Sequence, residues 1–142
     1  MRDHSPIVKA YDVRGVVPDQ LDEQVARAIG AAFVRFTGAP RVVTARDMRA
    51  SSAPLAAAFA AGATSQGADV VDAGLGSTDQ LYFASGRLGL PGAMFTASHN
   101  PAQYNGIKMC RAHAVPVGLD TGLAAIRPAI SSSRGRSPKA SM

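Results

Sequence analysis

Apolar residues recur along this chain in two alternating rhythms. Leu21, Val25, Ala28, Ile29, Ala32, Phe33 and Phe36 return at helical spacing. Asp19 or Asp22 is placed to cap that helix, and Gly38 to end it. Short β-like runs surround it: Ile7-Val8 and Tyr11 to Val17 before, broken by Gly15 and stopped at Pro18, then Arg41 to Ala45 after. A second helix is expected from Ser51-Ser52 as caps, with Pro54 in its first turn and Gly67 past its end. Asp69 to Ala73 reads as the next strand, leading into Gly74-Leu75-Gly76. Thr78 opens a shorter helix through Leu81, Tyr82, Phe83 and Leu88. Gly92 to Ala97 reads as a buried strand, followed by a polar loop and a further strand over Ile107 to Cys110. A last helix is expected from Asp120 or Thr121 through Leu123 and Ile126. Strand and helix in alternation predict a three-layer α/β/α domain on a mostly parallel, mixed sheet. No internal repeat is present.

The pattern stops at Pro128. Ser131-Ser132-Ser133-Arg134-Gly135-Arg136-Ser137-Pro138 has almost nothing to bury, so residues 128–142 are expected to be a disordered basic tail. Residues 1–127 are the folded unit. For 142 residues, 46% hydrophobic and 18% charged, that is one ordinary globular domain. The net charge of +5 falls to +2 without Arg134, Arg136 and Lys139 of the last nine residues. Aromatics are 6% with no Trp, which does not favour a nucleic-acid platform. No run approaches the ~20 apolar residues of a membrane helix, and the N-terminus lacks the apolar core of a signal peptide. The single Cys110 excludes an internal disulfide and makes the cytoplasm the default.

The polar loop Thr96-Ala97-Ser98-His99-Asn100-Pro101 carries the chemistry. It follows a buried strand, and open α/β sheets bind ligands beyond the carboxyl ends of their strands. Ser98 offers a hydroxyl beside His99. Asn105-Gly106-Ile107-Lys108 then returns a lysine, and Tyr11-Asp12-Val13-Arg14-Gly15 adds an arginine. No acid is available to orient a triad. A hydroxyl among cationic donors suits a phosphate better than an acyl group. From spacing alone, an ordinary polar surface loop remains the leading reading.

Thr-Ala-Ser-His-Asn-Pro followed by Asn-Gly-Ile-Lys resembles the signature of the alpha-D-phosphohexomutases. Lys9-Ala10-Tyr11-Asp12-Val13-Arg14-Gly15-Val16-Val17 is similar to their N-terminal motif and points to the phosphomannomutase/phosphoglucomutase branch. Arg46-Asp47-Met48-Arg49-Ala50-Ser51-Ser52 resembles a third motif, with Ala45 where the family often has glycine. Val117-Gly118-Leu119-Asp120-Thr121-Gly122-Leu123 looks like the end of the family's first domain. The resemblance implies interconversion of hexose 1-phosphates and 6-phosphates, such as those of mannose or glucose, through a bisphosphorylated sugar that also serves as activator. Ser98 would be the phosphorylated serine and would reach Mg²⁺ through its phosphate. Arg14 and Lys108 would contact the phosphoserine and the reacting phosphate. Lys108 or His99 would move the proton, and Tyr11 would line the entrance of the sugar site.

The resemblance covers only the first of the family's four domains. No Asp-x-Asp-x-Asp metal loop is present, Glu23 is the one glutamate, and domains II–IV, normally in cis, have no counterpart. The chain alone is therefore expected to be inactive, and its tail reads as the product of a truncated or shifted frame. Two other classes stay open: a non-catalytic phosphate-binding or regulatory module, and a basic-tailed nucleic-acid binder. Gly74-x-Gly76 lacks the third glycine of a dinucleotide site. His4, His99, His113 and Cys110 lack metal-ligand spacing. Asp47 and Arg49 read as a hydrogen-bonded strand-end pair. Leu81-Tyr82-Phe83 reads as core or as a former inter-domain surface.

Overall fold

The computed structural model describes residues 13–17, 19–96, 103–112 and 115–116. Of the two candidate caps, Asp22 starts α1 (Glu23–Thr37), its Oδ1 accepting the Val25 N–H at 2.9 Å. Gly38 ends it in the left-handed region (φ 65), its N–H donating to the Val34 carbonyl. Glu23 in the first turn and Arg35 in the last both suit the helix dipole.

Among the described residues, six strands make one mixed sheet: β1 (Val13–Val16), β2 (Arg41–Arg46), β3 (Asp69–Leu75), β4 (Gly92–Phe95), β5 (Tyr104–Arg111) and β6 (Val115–Pro116). Their order is β1-β5-β4-β2-β3, with β6 also pairing β5. β2 pairs parallel with β3 and β4, whereas β5 pairs antiparallel with β1, β4 and β6. Five strands thus point one way and β5 alone opposes them, so the mostly parallel, mixed sheet is as expected. β5 is longer than its apolar stretch predicts, and β6 has no sequence signal.

Helix α2 (Ser52–Ser65) joins β2 to β3, and α3 (Thr78–Leu88) joins β3 to β4. Side chains alternate across the strands and settle which face each helix covers. Val42, Phe95, Ile107 and Met109 pack with Ile29 and Phe33 of α1 and Leu55 and Phe59 of α2. Val43, Ala45 and Met94 pack with Leu81 of α3 on the other face. The three layers are therefore α1/α2, sheet and α3. Phe33, Phe59 and Phe95 form an aromatic chain from α1 through α2 to β4, with centroids 5.9 and 5.3 Å apart.

The α1/α2 layer is unusually close. A Cβ on Gly30 would stand 2.1 Å from the Phe59 carbonyl oxygen, and one on Gly62 would stand 1.9 Å from that of Arg27. The two backbones touch at reciprocal glycines. The α3 layer is thin, with only Leu81 and Ser85 buried. The Leu81-Tyr82-Phe83 cluster accordingly splits: Leu81 is core, while Phe83 is 68% exposed.

Ser51 stands at the N-cap of α2, as expected, but caps by position alone: its backbone is already αR (φ −81, ψ −13) and its side chain makes no cap bond. The hydroxyls of Ser51 and Ser52 are used elsewhere, as described below. α3 opens at Thr78, as expected, behind Ser77, which caps it in a full capping box with Gln80. The helix expected from residue 120 and the tail over 128–142 lie outside the described residues. So do Tyr11, Ser98 and His99.

Candidate active site at the sheet switch point

The connection from β2 through α2 leads to β3 on one side; that from β3 through α3 crosses back to β4 on the other. β2 and β4 therefore flank the point where the winding reverses, and ligands of open α/β sheets bind beyond the carboxyl ends of such strands. Registers place Arg46, Phe95, Ile107 and Val13 in one row across four strands. The next row outward is Asp47, Thr96, Gly106 and Arg14. It is tied together by Asp47 N–H to the Phe95 carbonyl (3.0 Å), Thr96 N–H to the Gly106 carbonyl (3.0 Å) and the Arg14–Gly106 pairing.

Arg14 and Lys108 share a face here. Arg14 pairs with Gly106, two residues before Lys108, so the two cations are diagonal neighbours on the α3 side of the sheet. Lys108 itself stands opposite Met94 of that face's core. Both are half-buried. Gly106 makes room for this: a Cβ there would lie 3.2 Å from Arg14 Cγ and 2.6 Å from the Val13 carbonyl oxygen.

On the opposite face lies a buried polar network. The Asn105 side chain is fully buried. Its Nδ2 donates to Ser51 Oγ (2.8 Å) and Ser52 Oγ (2.9 Å), and its Oδ1 accepts the Gly106 N–H (2.8 Å). Ser52 Oγ–H donates to Asp47 Oδ1 at 2.5 Å. The Phe95 carbonyl is farther from Ser52 Oγ, at 3.3 Å, so the single hydroxyl proton goes to the carboxylate. Asp47 Oδ1 also accepts the Arg49 N–H (3.0 Å), Oδ2 pairs with Arg49 Nε (3.3 Å), and the Thr96 side chain donates to the same carboxylate. Arg49 Nη1 reaches across to the Tyr104 carbonyl at 3.0 Å. The strand-end pair read from the sequence is present, as the centre of a larger cluster.

The segment 97–102 lies outside the described residues, but both residues that bracket it are bound. Thr96 is held by Gly106 and Asp47, and the Gln103 carbonyl accepts the Val17 N–H at 2.8 Å. An open groove of about 570 Å³ is lined by Asp47, Met48, Arg49, Leu75 and Gly76.

Burial pushes the Asp47 carboxyl upward, but hydrogen bonds from Ser52, Thr96 and the Arg49 N–H, with the Arg49 charge, outweigh it and leave the group below its ordinary value of 3.8. A depressed folded pKa contributes stability above the unfolded pKa and loses it as pH falls through the folded one. Unfolding by urea between about pH 5 and pH 3 should therefore show a steeper loss for the wild type than for Asp47→Asn. The buried Cys110 thiol is shifted the other way, pushed up chiefly by burial, which keeps it protonated.

Among the described residues, no three His, Cys, Asp or Glu side chains come together as a metal cage. The Asp47 carboxylate is already occupied by Ser52, Arg49 and Thr96. These residues do not fit a Mg²⁺ site. No helix of the described residues is long and apolar enough to cross a membrane.

Residues 5–135 match the family described as phosphoglucomutase/phosphomannomutase, alpha/beta/alpha domain I. The chain belongs to this family. A protein named phosphohexose mutases from Xanthomonas campestris is 45% identical over 126 residues, which is 88% of this chain and 28% of that protein. A phosphomannomutase of Klebsiella pneumoniae is 44% identical over 81% of this chain and 74% of its own length. A crystal structure of a phosphoglucomutase/phosphomannomutase family protein from Burkholderia thailandensis superposes with a TM-score of 0.82 at 39% identity. It covers 94% of this chain and 31% of the other. The three layers described above agree with the family's description as an alpha/beta/alpha domain. The chain spans less than a third of the Xanthomonas relative and of the Burkholderia structure.

Sequence reasoning brought Arg14 and Lys108 forward, and the sheet puts them side by side. It quoted Asn105 and Thr96 only as members of their motifs, and it read Ser51 and Ser52 as cap residues without their part in the buried network. A buried polar side chain next to the Gly106 of Asn-Gly-Ile-Lys was the available signal.

Proposed function

We propose that this domain carries the phosphoryl group of a phosphohexomutase on Ser98 and transfers it between the 1- and 6-positions of a hexose phosphate. The observation that supports this most is the cation pair of Arg14 and Lys108 beside the switch point, next to Thr96. Ser98 follows Thr96 by two residues, so chain connectivity limits their separation to about 7 Å. In the reaction, the bond from phosphorus to Ser98 Oγ breaks as a bond to the sugar hydroxyl forms. The hydroxyl proton passes to His99, and Lys108, charged throughout, serves only as a donor toward the oxygen that needs one in the return step. The resulting bisphosphate turns over and returns its other phosphoryl group to Ser98, regenerating the carrier. Arg14 and Lys108 act by charge: they neutralise the oxygens of the transferred group, and charge-assisted bonds of this kind are about twice as strong as neutral ones. Tyr11 lines the sugar entrance. Mg²⁺, when bound, would offset phosphate charge, and its ligands would come from outside the described residues. A cytoplasmic setting agrees with a single, buried, protonated Cys110.

The chain by itself should not turn over, because among the described residues none is placed to hold the sugar in two orientations or to exclude water around the phosphate. A chimera decides between catalysis and bare phosphate binding. Residues 1–127 replace the matching segment of the Escherichia coli phosphomannomutase, to which this chain is 44% identical over 116 residues. With mannose 1-phosphate and the matching bisphosphate, the chimera should turn over and carry one phosphate on the peptide containing Ser98. Chimeric Ser98→Ala should do neither, and residues 1–142 alone should stay below about 1 s⁻¹. Normal turnover in Ser98→Ala would overturn the assignment. A folded chimera that takes up no phosphate would favour the non-catalytic module.

A further inference from the structure

The Asp47 cluster gathers around the start of α2, and its members bind the row on which Arg14 lies. We infer that Asp47 is a positioning residue for the phosphate site: through Thr96 and, by way of Ser52 and Asn105, through Gly106, it sets the register and tilt of the row on which Arg14 lies. This rests on the phosphate reading of that site.

Three observations carry it. Asp47 binds the end of β4 twice, by its N–H to the Phe95 carbonyl and by its carboxylate to the Thr96 side chain. The chain Asp47–Ser52–Asn105 ends on the Gly106 N–H, and Gly106 is where the Arg14 stem rests, its Cγ 3.2 Å from the position of a Gly106 Cβ. Arg49, held by the same carboxylate, grips the Tyr104 carbonyl where β5 begins. One anion thus orders the end of β4 and the start of β5, the two strands that bracket the segment containing Ser98.

A carboxylate is the right hub because all its partners are donors. An amide at this position would turn N–H groups toward Arg49 Nε or toward the hydroxyls, leaving at least one contact broken. Buried networks of this type are costly when only partly satisfied.

The test uses the full 142-residue chain, inorganic phosphate as probe, and backbone amides as reporters. In the wild type, phosphate should shift the amides of Arg14 and Lys108. Asp47→Asn should weaken that affinity at least five-fold and speed amide exchange at Thr96 and Gly106 at least ten-fold. Exchange at Gly38 and Gly89, which cap distant helices, should stay unchanged. Thr96→Val keeps shape and removes only the hydroxyl, so it should reproduce the loss of affinity should Asp47→Asn fail to fold. A wild type that ignores phosphate removes the phosphate reading and this proposal with it. A wild type that responds, with a folded variant of unchanged affinity, removes the positioning role alone. Faster exchange with unchanged affinity makes Asp47 structural and overturns the proposal as well.

Discussion

Gly62→Ala is expected to cost about 2–4 kcal/mol of stability, a large share of the ~5–15 kcal/mol that holds a domain together. An added methyl would lie 1.9 Å from the Arg27 carbonyl oxygen, 2.8 Å from its carbon and 3.0 Å from the Ala31 nitrogen. All three are backbone atoms in the middle of α1, so no side chain can swing aside. The helices must separate, by about 1 Å or more to reach ordinary contact, and the Phe33–Phe59 contact across the same seam loosens with them. Alanine's helix preference returns only about 1 kcal/mol. Gly30→Ala meets the Phe59 carbonyl oxygen at 2.1 Å and should behave alike. Gly86 of α3 has nothing within 4 Å of a Cβ, so Gly86→Ala should be neutral or gain up to about 1 kcal/mol. Urea midpoints of the three variants check this. A Gly62→Ala midpoint equal to that of Gly86→Ala would show that the helix seam yields freely.

Gly106→Ala should strike the site itself. Its methyl would press 2.6 Å from the Val13 carbonyl oxygen, 3.1 Å from that of Thr96 and 3.2 Å from Arg14 Cγ. The arginine stem can move, but the two carbonyls belong to the strands on either side. Relief therefore means opening the β1–β5 or β4–β5 pairing at the row where Arg14 stands. The cost to stability should be about 1–3 kcal/mol. The cost to phosphate binding should be larger in relative terms, about ten-fold or more, since a charge-assisted contact displaced from its partner is worth ~1.5–3 kcal/mol. Phosphate titration beside thermal unfolding separates the two. Unchanged phosphate affinity with lowered stability would mean that Arg14 tolerates the shift.

The helices and the parallel strands were legible because their signals are local. Val25, Ile29 and Phe33 mark a helix face, and Gly38 stops it, whatever the rest of the chain does. The β1–β5 pairing is different. Val13 meets Ile107 across more than ninety residues of chain, and nothing near either residue names the other. Ser51 and Ser52 were legible as the start of α2 but not in the use of their hydroxyls: a hydroxyl that suits a helix cap suits a buried network equally well, and Asn105, distant in sequence, decides between them. Ser77 with Gln80 was a legible capping box directly before the Thr78 start, and it went unread. Gly30 and Gly62 are single glycines in alanine-rich helices, and their meaning exists only once the helices cross. For the site, the cations were readable from their motifs. The anion that braces them was readable only as a pair with Arg49.

The lone reversed strand also sets a timetable for the nascent chain. β1 leaves the ribosome about ninety residues ahead of its partner β5, an interval of roughly 5–20 s at ~5–20 residues per second. Throughout that interval α1, β2, α2 and β3 can assemble, because each finds its neighbour nearby. Val13, Val16 and Val17 cannot, and they wait as an open edge. Arg14 stands in the middle of that edge, and a charge in an unpaired strand discourages adhesion to other chains. The residue read here as a phosphate ligand in the finished domain would thus also serve as its guard while the domain is being made.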